Sequence, residues 1–123
     1  MVNVTPTYLT GSAGKKTNQE VVTYTAMGAS DTGIAFEKSN HKTKTVHVTG
    51  TFGGTVTIQG SNDPLGITTP GSAVWITLTT DGSAALTFTA TGMENIHENP
   101  RFIRAITGSG VSDVDVIFNV IEK

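Results

Sequence analysis

From residue 20 onward, apolar and polar residues alternate with a period close to two. Val46 and Val48, Val56 and Ile58, Val74, Ile76 and Leu78, and Leu86 and Phe88 each recur at every second position. Successive side chains of a strand point to opposite faces, so each such set shares one face and leaves the other to water. The pattern predicts strands at 21–27, 33–37, 44–49, 55–60, 74–79, 85–89, 102–106 and 114–121. It also predicts a core: Val46, Val48, Val56, Ile58, Ile76, Leu78, Leu86, Phe88 and Phe102 are expected to be largely buried.

Turn formers separate these segments: GAS at 28–30, SNH at 39–41, GG at 53–54, SNDPLG at 61–66, TTPG at 68–71, TDG at 80–82 and TGSG at 107–110. Gly supplies unusual backbone angles and Asn, Asp and Ser bond their own backbone, so each cluster ends a strand. The best helix candidate is TGMENIHEN at 91–99, long enough for one turn before Pro100 pushes its predecessor out of the α region. Many short strands with evenly spaced turns predict an all-β chain, an antiparallel β-sandwich of about eight strands with a jelly-roll-like path. An immunoglobulin-like sandwich is the alternative, although the Cys and Trp spacing of antibody domains is missing.

Residues 1–19 break the pattern, being rich in Thr, Gly, Ser, Asn and Lys and too poor in apolar groups to fold alone. The expected division is an extended N-terminal arm at 1–19 and a β-sandwich domain at 20–123. Fully extended, the arm would reach roughly 60 Å at ~3.3 Å per residue, far enough to cross onto a neighbouring subunit. Tyr8 and Leu9 form its largest adjacent apolar pair and are its expected interface anchors.

Composition narrows the function classes. The 123 residues fit one domain with its own core, and threonine fills about one position in six, which favours strands. A formal charge of -2 gives no basic footprint, so neither nucleic acid nor anionic membrane is an expected partner. The absence of cysteine excludes disulfides, thiol catalysis and cysteine-based zinc sites. No continuous apolar run opens the chain, so neither a signal peptide nor a membrane anchor is expected, and synthesis is expected in the cytoplasm.

No catalytic constellation emerges, and an enzyme is not expected. His41 and His47 lie six apart, too far for two ligands on one strand face, and His97 lacks the second histidine that helical metal motifs require. Asp113 and Asp115 share a face and would suit Ca²⁺ if other oxygens converged; polarity at a strand entrance is the plainer reading. Asn62 and Asp63 read as an Asx-type turn, no serine sits in a G-x-S-x-G elbow, and GTFGG at 50–54 precedes no helix that could receive an anion. No metal or cofactor is expected. Trp75 is either a packing residue of a core or subunit interface or a platform for a sugar ring. Arg104 falls in phase with Phe102 and Ile106, which turns it toward the apolar face. A guanidinium there needs an acidic partner, which Glu94, Glu98 or an aspartate of another subunit would supply.

The succession TVTIQGSNDP, VWITL, TDGSAALTFTATGM, ENPRFIRAITGSG and DVDVIFNV resembles small β-sandwich proteins of tailed-bacteriophage structural modules. These include capsid decoration, or cement, proteins with jelly-roll-like folds, and the resemblance covers about residues 49–120. It implies a non-enzymatic virion protein on the capsid exterior that binds the major capsid protein, bridges its subunits and assembles as a homo-oligomer, a dimer or trimer. Tyr8, Leu9, Trp75, Arg101 and Arg104 would form its interfaces. The SND and Trp segment is also similar to discoidin-type sugar-binding jelly rolls, which makes a carbohydrate-binding or structural module of a phage tail or fibre the alternative. The insertion LGITTPGSA between SNDP and Trp75 departs from the compact turn of that group.

Overall fold

The computed structural model describes residues 3–10, 19–37, 41–63, 69 and 71–122. In chain order the strands are β1 (Asn3–Val4), β2 (Thr7–Thr10), β3 (Gln19–Met27), β4 (Thr32–Gly33), β5 (Phe36–Glu37) and β6 (His41–Thr51). They continue with β7 (Val56–Ser61), β8 (Ile76–Thr77), β9 (Thr87–Phe88), β10 (Gly92–Asn95), β11 (Phe102–Thr107) and β12 (Asp113–Glu122). Among the described residues there is no helix. One sheet runs β10-β6-β12-β3-β2; the other runs β1-β4-β11-β7-β8, with β5 also on β11 and β9 also on β7.

The path is a jelly roll because the pairing nests. β3 pairs with β12, β4 and β5 with β11, β6 with β10, and β7 with β8 and β9, all antiparallel. The chain is thus a long ribbon folded back on itself and rolled into two sheets, with β6·β12 and β7·β11 closing the roll. Residues 76–78 and 86–88 form one interrupted strand along β7: Leu78 N–H donates to Ile58 O, and Ile58 N–H donates to Leu86 O. The stretch between them leaves as a loop closed by a Thr79–Ala85 bridge.

The 91–99 segment is the clearest departure from the sequence reading. It forms β10 rather than a helical turn, with Gly92, Met93, Glu94 and Asn95 in register with Val48, His47, Val46 and Thr45. Helix propensity there is weak, whereas the open edge of β6 offers backbone partners and the core accepts Ile96, which is 4% exposed. Tertiary pairing therefore overrides the local preference.

The core lies between the sheets. The alternate residues Val114, Val116, Phe118 and Val120 of β12 are fully buried, as are Val46 and Val48 on its neighbour β6 and Val56 and Ile58 on β7 of the facing sheet. Phe118 meets Phe36 at 5.1 Å and Tyr24 at 6.1 Å between ring centres, both edge to face. Tyr24 donates its hydroxyl to Ile34 O at 2.7 Å, and burial pushes its phenol far above the usual range. Of the nine core residues expected from the sequence, all but Ile76 are buried. Ile76 lies across from Gly60, whose inner face is already covered by Leu78 and Pro100, so the isoleucine is left outside the rim at 62% exposure.

The described part of the expected arm, residues 3–10, runs along this chain's own sheets. β1 pairs in parallel with β4, and β2 pairs antiparallel with β3 through Thr7–Thr23, Tyr8–Val22, Leu9–Val21 and Thr10–Glu20. Between them Pro6 is buried where the chain crosses from one sheet to the other. Residues 11–18 lie outside the described residues.

Two polar devices hold the corners. Asp31 Oδ2 accepts Gly28 N–H at 2.7 Å, and Thr107 Oγ1 accepts Asp31 N–H at 2.7 Å while donating to Gly28 O, so the GAS turn is pinned to the end of β11. A bulge between Val114 and Val116 places Ala26 at φ 55°, and Asp115 Oδ1 accepts its N–H at 2.8 Å. Asp115 therefore serves the bulge. Replacing Asp115 by Ala is expected to lower stability by about 0.5–1.5 kcal/mol through loss of this solvent-exposed hydrogen bond. Ala26→Gly is expected to raise it by up to ~1 kcal/mol by relieving the left-handed backbone. Urea unfolding of both variants checks this, and a loss of stability in Ala26→Gly would contradict the strain.

Candidate interaction site

The outer face of the sheet carrying β7, β8 and β11 holds the most distinctive side chains. In β11, Ile103 and Ala105 enter the core, so Phe102, Arg104 and Ile106 point outward. Phe102 is buried, but on this outer side and apart from the core cluster. Arg104 lies directly across from Gln59, and Gln59 lies across from Thr77, two residues beyond Trp75. The two-residue period thus brings Trp75, Gln59 and Arg104 to one face.

Their contacts are specific. Arg104 donates Nε–H to Gln59 Oε1 at 2.9 Å, and its guanidinium carbon sits 4.0 Å from the centre of the Trp75 ring. That distance gives a cation–π stack of about 0.5–2 kcal/mol, depending on desolvation. Burial draws the arginine's pKa below its usual value, with Tyr24 acting in the opposite direction. Among the described residues, neither Glu94 nor Glu98, the two acids of this chain expected to pair with Arg104, forms an ion pair with it. Glu98 holds Thr79 instead, through Thr79 N–H at 2.8 Å and Thr79 Oγ1 at 2.6 Å, and Glu94 belongs to β10 in the other sheet. Partial burial pushes the Glu98 carboxyl up, but the Thr79 hydrogen bonds outweigh this and hold it below the usual carboxylate range.

Arg101 flanks the patch. Its Nε lies 2.5 Å from Glu37 Oε2, and its guanidinium stands 5.3 Å from the Phe102 ring centre. This exposed ion pair contributes little to stability, about 0–1 kcal/mol. The turn at 61–63 is a clamp for the patch. Ser61 Oγ accepts Asp63 N–H at 3.0 Å, Asn62 Oδ1 accepts Arg101 N–H at 2.8 Å, and Asp63 Oδ2 accepts Val74 N–H at 3.1 Å. The SND residues thus reach across to fix the backbone beside Trp75 and Arg101, where the sequence suggests only a local turn. Beside them an open groove of about 290 Å³ is lined by Ser61, Asn62, Ile76, Leu78, Glu98 and Pro100.

Val74 and Ile76 are 65% and 62% exposed where the sequence pattern places a core face, and Ile76, across from Gly60, lies on the opposite side of the sheet from Gln59 and Arg104. Gln59, the residue that holds Arg104, carries no signal by residue type, although its place out of phase with Val56 and Ile58 marks it as outward-facing. Tyr8 and Leu9 do not join this patch. They lie on β2 at the edge of the other sheet, where Tyr8 is 51% exposed and the Leu9 side chain falls outside the described residues. His47 lies on the outer side of β6, His97 stands 3.8 Å from Asp81 at the surface, and the His41 side chain is outside the described residues. Among the described residues no group of three His, Asp or Glu side chains is placed to hold a metal ion.

The sequence matches no protein-family model and no curated protein. The fold is similar to that of YomS, a protein derived from the SPBc2 prophage, with a TM-score of 0.61 and 14% identity over 85% of this chain and 95% of that one. Looser likenesses include an RmlC-like cupin of Desulfovibrio desulfuricans, with a TM-score of 0.47 and 10% identity over 94% and 81% of the two chains. A cupin domain of Bordetella pertussis gives 0.48 and 9% over 98% and 94%.

Proposed function

We propose that this chain is a virion structural protein, a capsid decoration protein that binds the outer surface of the major capsid lattice and stabilises it without enzymatic activity. The observation that carries the reading is the similarity of the whole sandwich to a prophage-derived protein of nearly the same extent. The Trp75 and Arg104 patch supports it: aromatic and arginine side chains stacked on one face beside the SND clamp are the composition of a protein-binding surface. A small β-sandwich whose outer face is cross-linked by hydrogen bonds suits a role that is mechanical, namely tying neighbouring shell subunits together.

The test is location and heat resistance. Particles released from the bacterium that encodes the chain are purified, labelled with antibody against it and viewed by electron microscopy. Label is expected on the heads, and particles lacking the chain are expected to release their DNA at a lower temperature. Label on tails or fibres would favour a tail module with a sugar or a structural partner. Absence from purified particles would overturn the virion reading altogether.

A further inference from the structure

Arg104 has an incomplete set of partners. Its Nε is held by a neutral amide, its flat face rests on Trp75, and no Asp or Glu among the described residues forms an ion pair with it. Arg101, three residues earlier, has its carboxylate in Glu37. A half-buried guanidinium without a carboxylate is an unfavourable arrangement for a chain that needs only to fold, since its desolvation is not offset by an opposite charge. The arrangement does, however, suit recognition. Gln59 and Trp75 fix the guanidinium plane, and its two terminal nitrogens form the fork that binds a carboxylate through two parallel hydrogen bonds.

We infer that Trp75, Gln59 and Arg104 form a docking site for an aspartate or glutamate side chain of a partner protein. Charge complementarity chooses the occupant: the site supplies one positive fork on an aromatic platform, and a carboxylate supplies the opposite charge in matching bidentate geometry. The inference extends the decoration reading by giving the partner a chemistry. It rests on this chain's own geometry, so it is tested without particles and can fail independently of that reading.

Trp75 is the only tryptophan, so its fluorescence reports this site alone. The probes are a blocked pentapeptide with two aspartates and its counterpart with two asparagines, titrated into the full-length protein at low salt. The acidic peptide is expected to shift the emission saturably at millimolar concentration, with the asparagine peptide at least about tenfold weaker. Arg104→Lys keeps the charge but loses the fork, and it is expected to weaken acidic-peptide binding by about tenfold. Gln59→Glu supplies the missing carboxylate within the chain, so it should abolish peptide binding while raising the melting temperature. The inference is overturned if both peptides bind alike, if neither changes the emission, or if Gln59→Glu still binds the acidic peptide. Glucuronate acting where the acidic peptide does not would equally overturn it and assign the patch to acidic sugars.

Discussion

A chain that begins at residue 19 is expected to unfold at markedly lower urea than the full-length protein, with a stability loss of roughly 2–4 kcal/mol, the range for uncovering buried apolar groups. The expectation comes from where residues 3–10 lie. Val4 packs against the core and its carbonyl accepts Ile34 N–H at 2.8 Å; Pro6 is buried at the crossing; β2 covers the outer edge of β3 from Glu20 to Thr23. Removing them opens the side of the sandwich beside Val22 and Tyr24, both fully buried. It also leaves β3 as a bare edge, ready to pair with another chain. The shortened protein should therefore lose stability and gain concentration-dependent association, detected by urea unfolding and light scattering. An unchanged urea midpoint with no association would mean that residues 3–10 only decorate the sheets, and that their role is to reach a neighbour.

The sandwich is legible in the sequence because burial and alternation are the same fact in a two-layer β fold. Every second residue of β6, β7 and β12 faces the core, so Val46, Val48, Val56 and Ile58 announce their strands unaided. What alternation does not encode is edge pairing. β10 carries a polar, glycine-containing sequence and exists because β6 has an open side; β1 and β2 exist because β4 and β3 do. Their stabilisation comes from backbone hydrogen bonds to distant partners, which leave no periodic trace in the residues themselves. The same reason explains why 74–79 and 85–89 look like two strands: each has its own alternating apolar residues, but both lie along β7.

The site is half legible. Trp75 and Arg104 stand out by residue type, and Arg104 does share a face with Phe102 and Ile106. Which face that is does not follow from the sequence, because apolar residues occupy both faces of β11: Ile103 and Ala105 inward, Phe102 and Ile106 outward. A strand with two apolar faces has no orientation until its neighbours are known. Gln59 and the SND clamp act across 45 and 39 residues of sequence, respectively, so only the folded register brings them to the arginines.

Gly50→Ala is expected to be among the most damaging single substitutions, lowering stability by about 3 kcal/mol or more, and the cause is backbone geometry rather than lost contact. Gly50 lies near the end of β6 at φ 135°, a region essentially restricted to glycine, where any other residue is strained by ~1–3 kcal/mol. A β-carbon there would sit 2.2 Å from Asp113 O and 2.8 Å from Val114 Cα, closer than van der Waals contact permits. Both obstacles are backbone atoms of β12, which is held between β6 and β3 and cannot move without disturbing both pairings. Gly71 is the internal control: a β-carbon added there would have nothing within 4 Å, so Gly71→Ala is expected to stay within about 0.5 kcal/mol of the parent. Urea midpoints of the two variants decide the matter. A large gap places the constraint at the β6·β12 contact, whereas equal midpoints would mean that the sheet relaxes around the added methyl and that the positive φ of Gly50 restrains nothing.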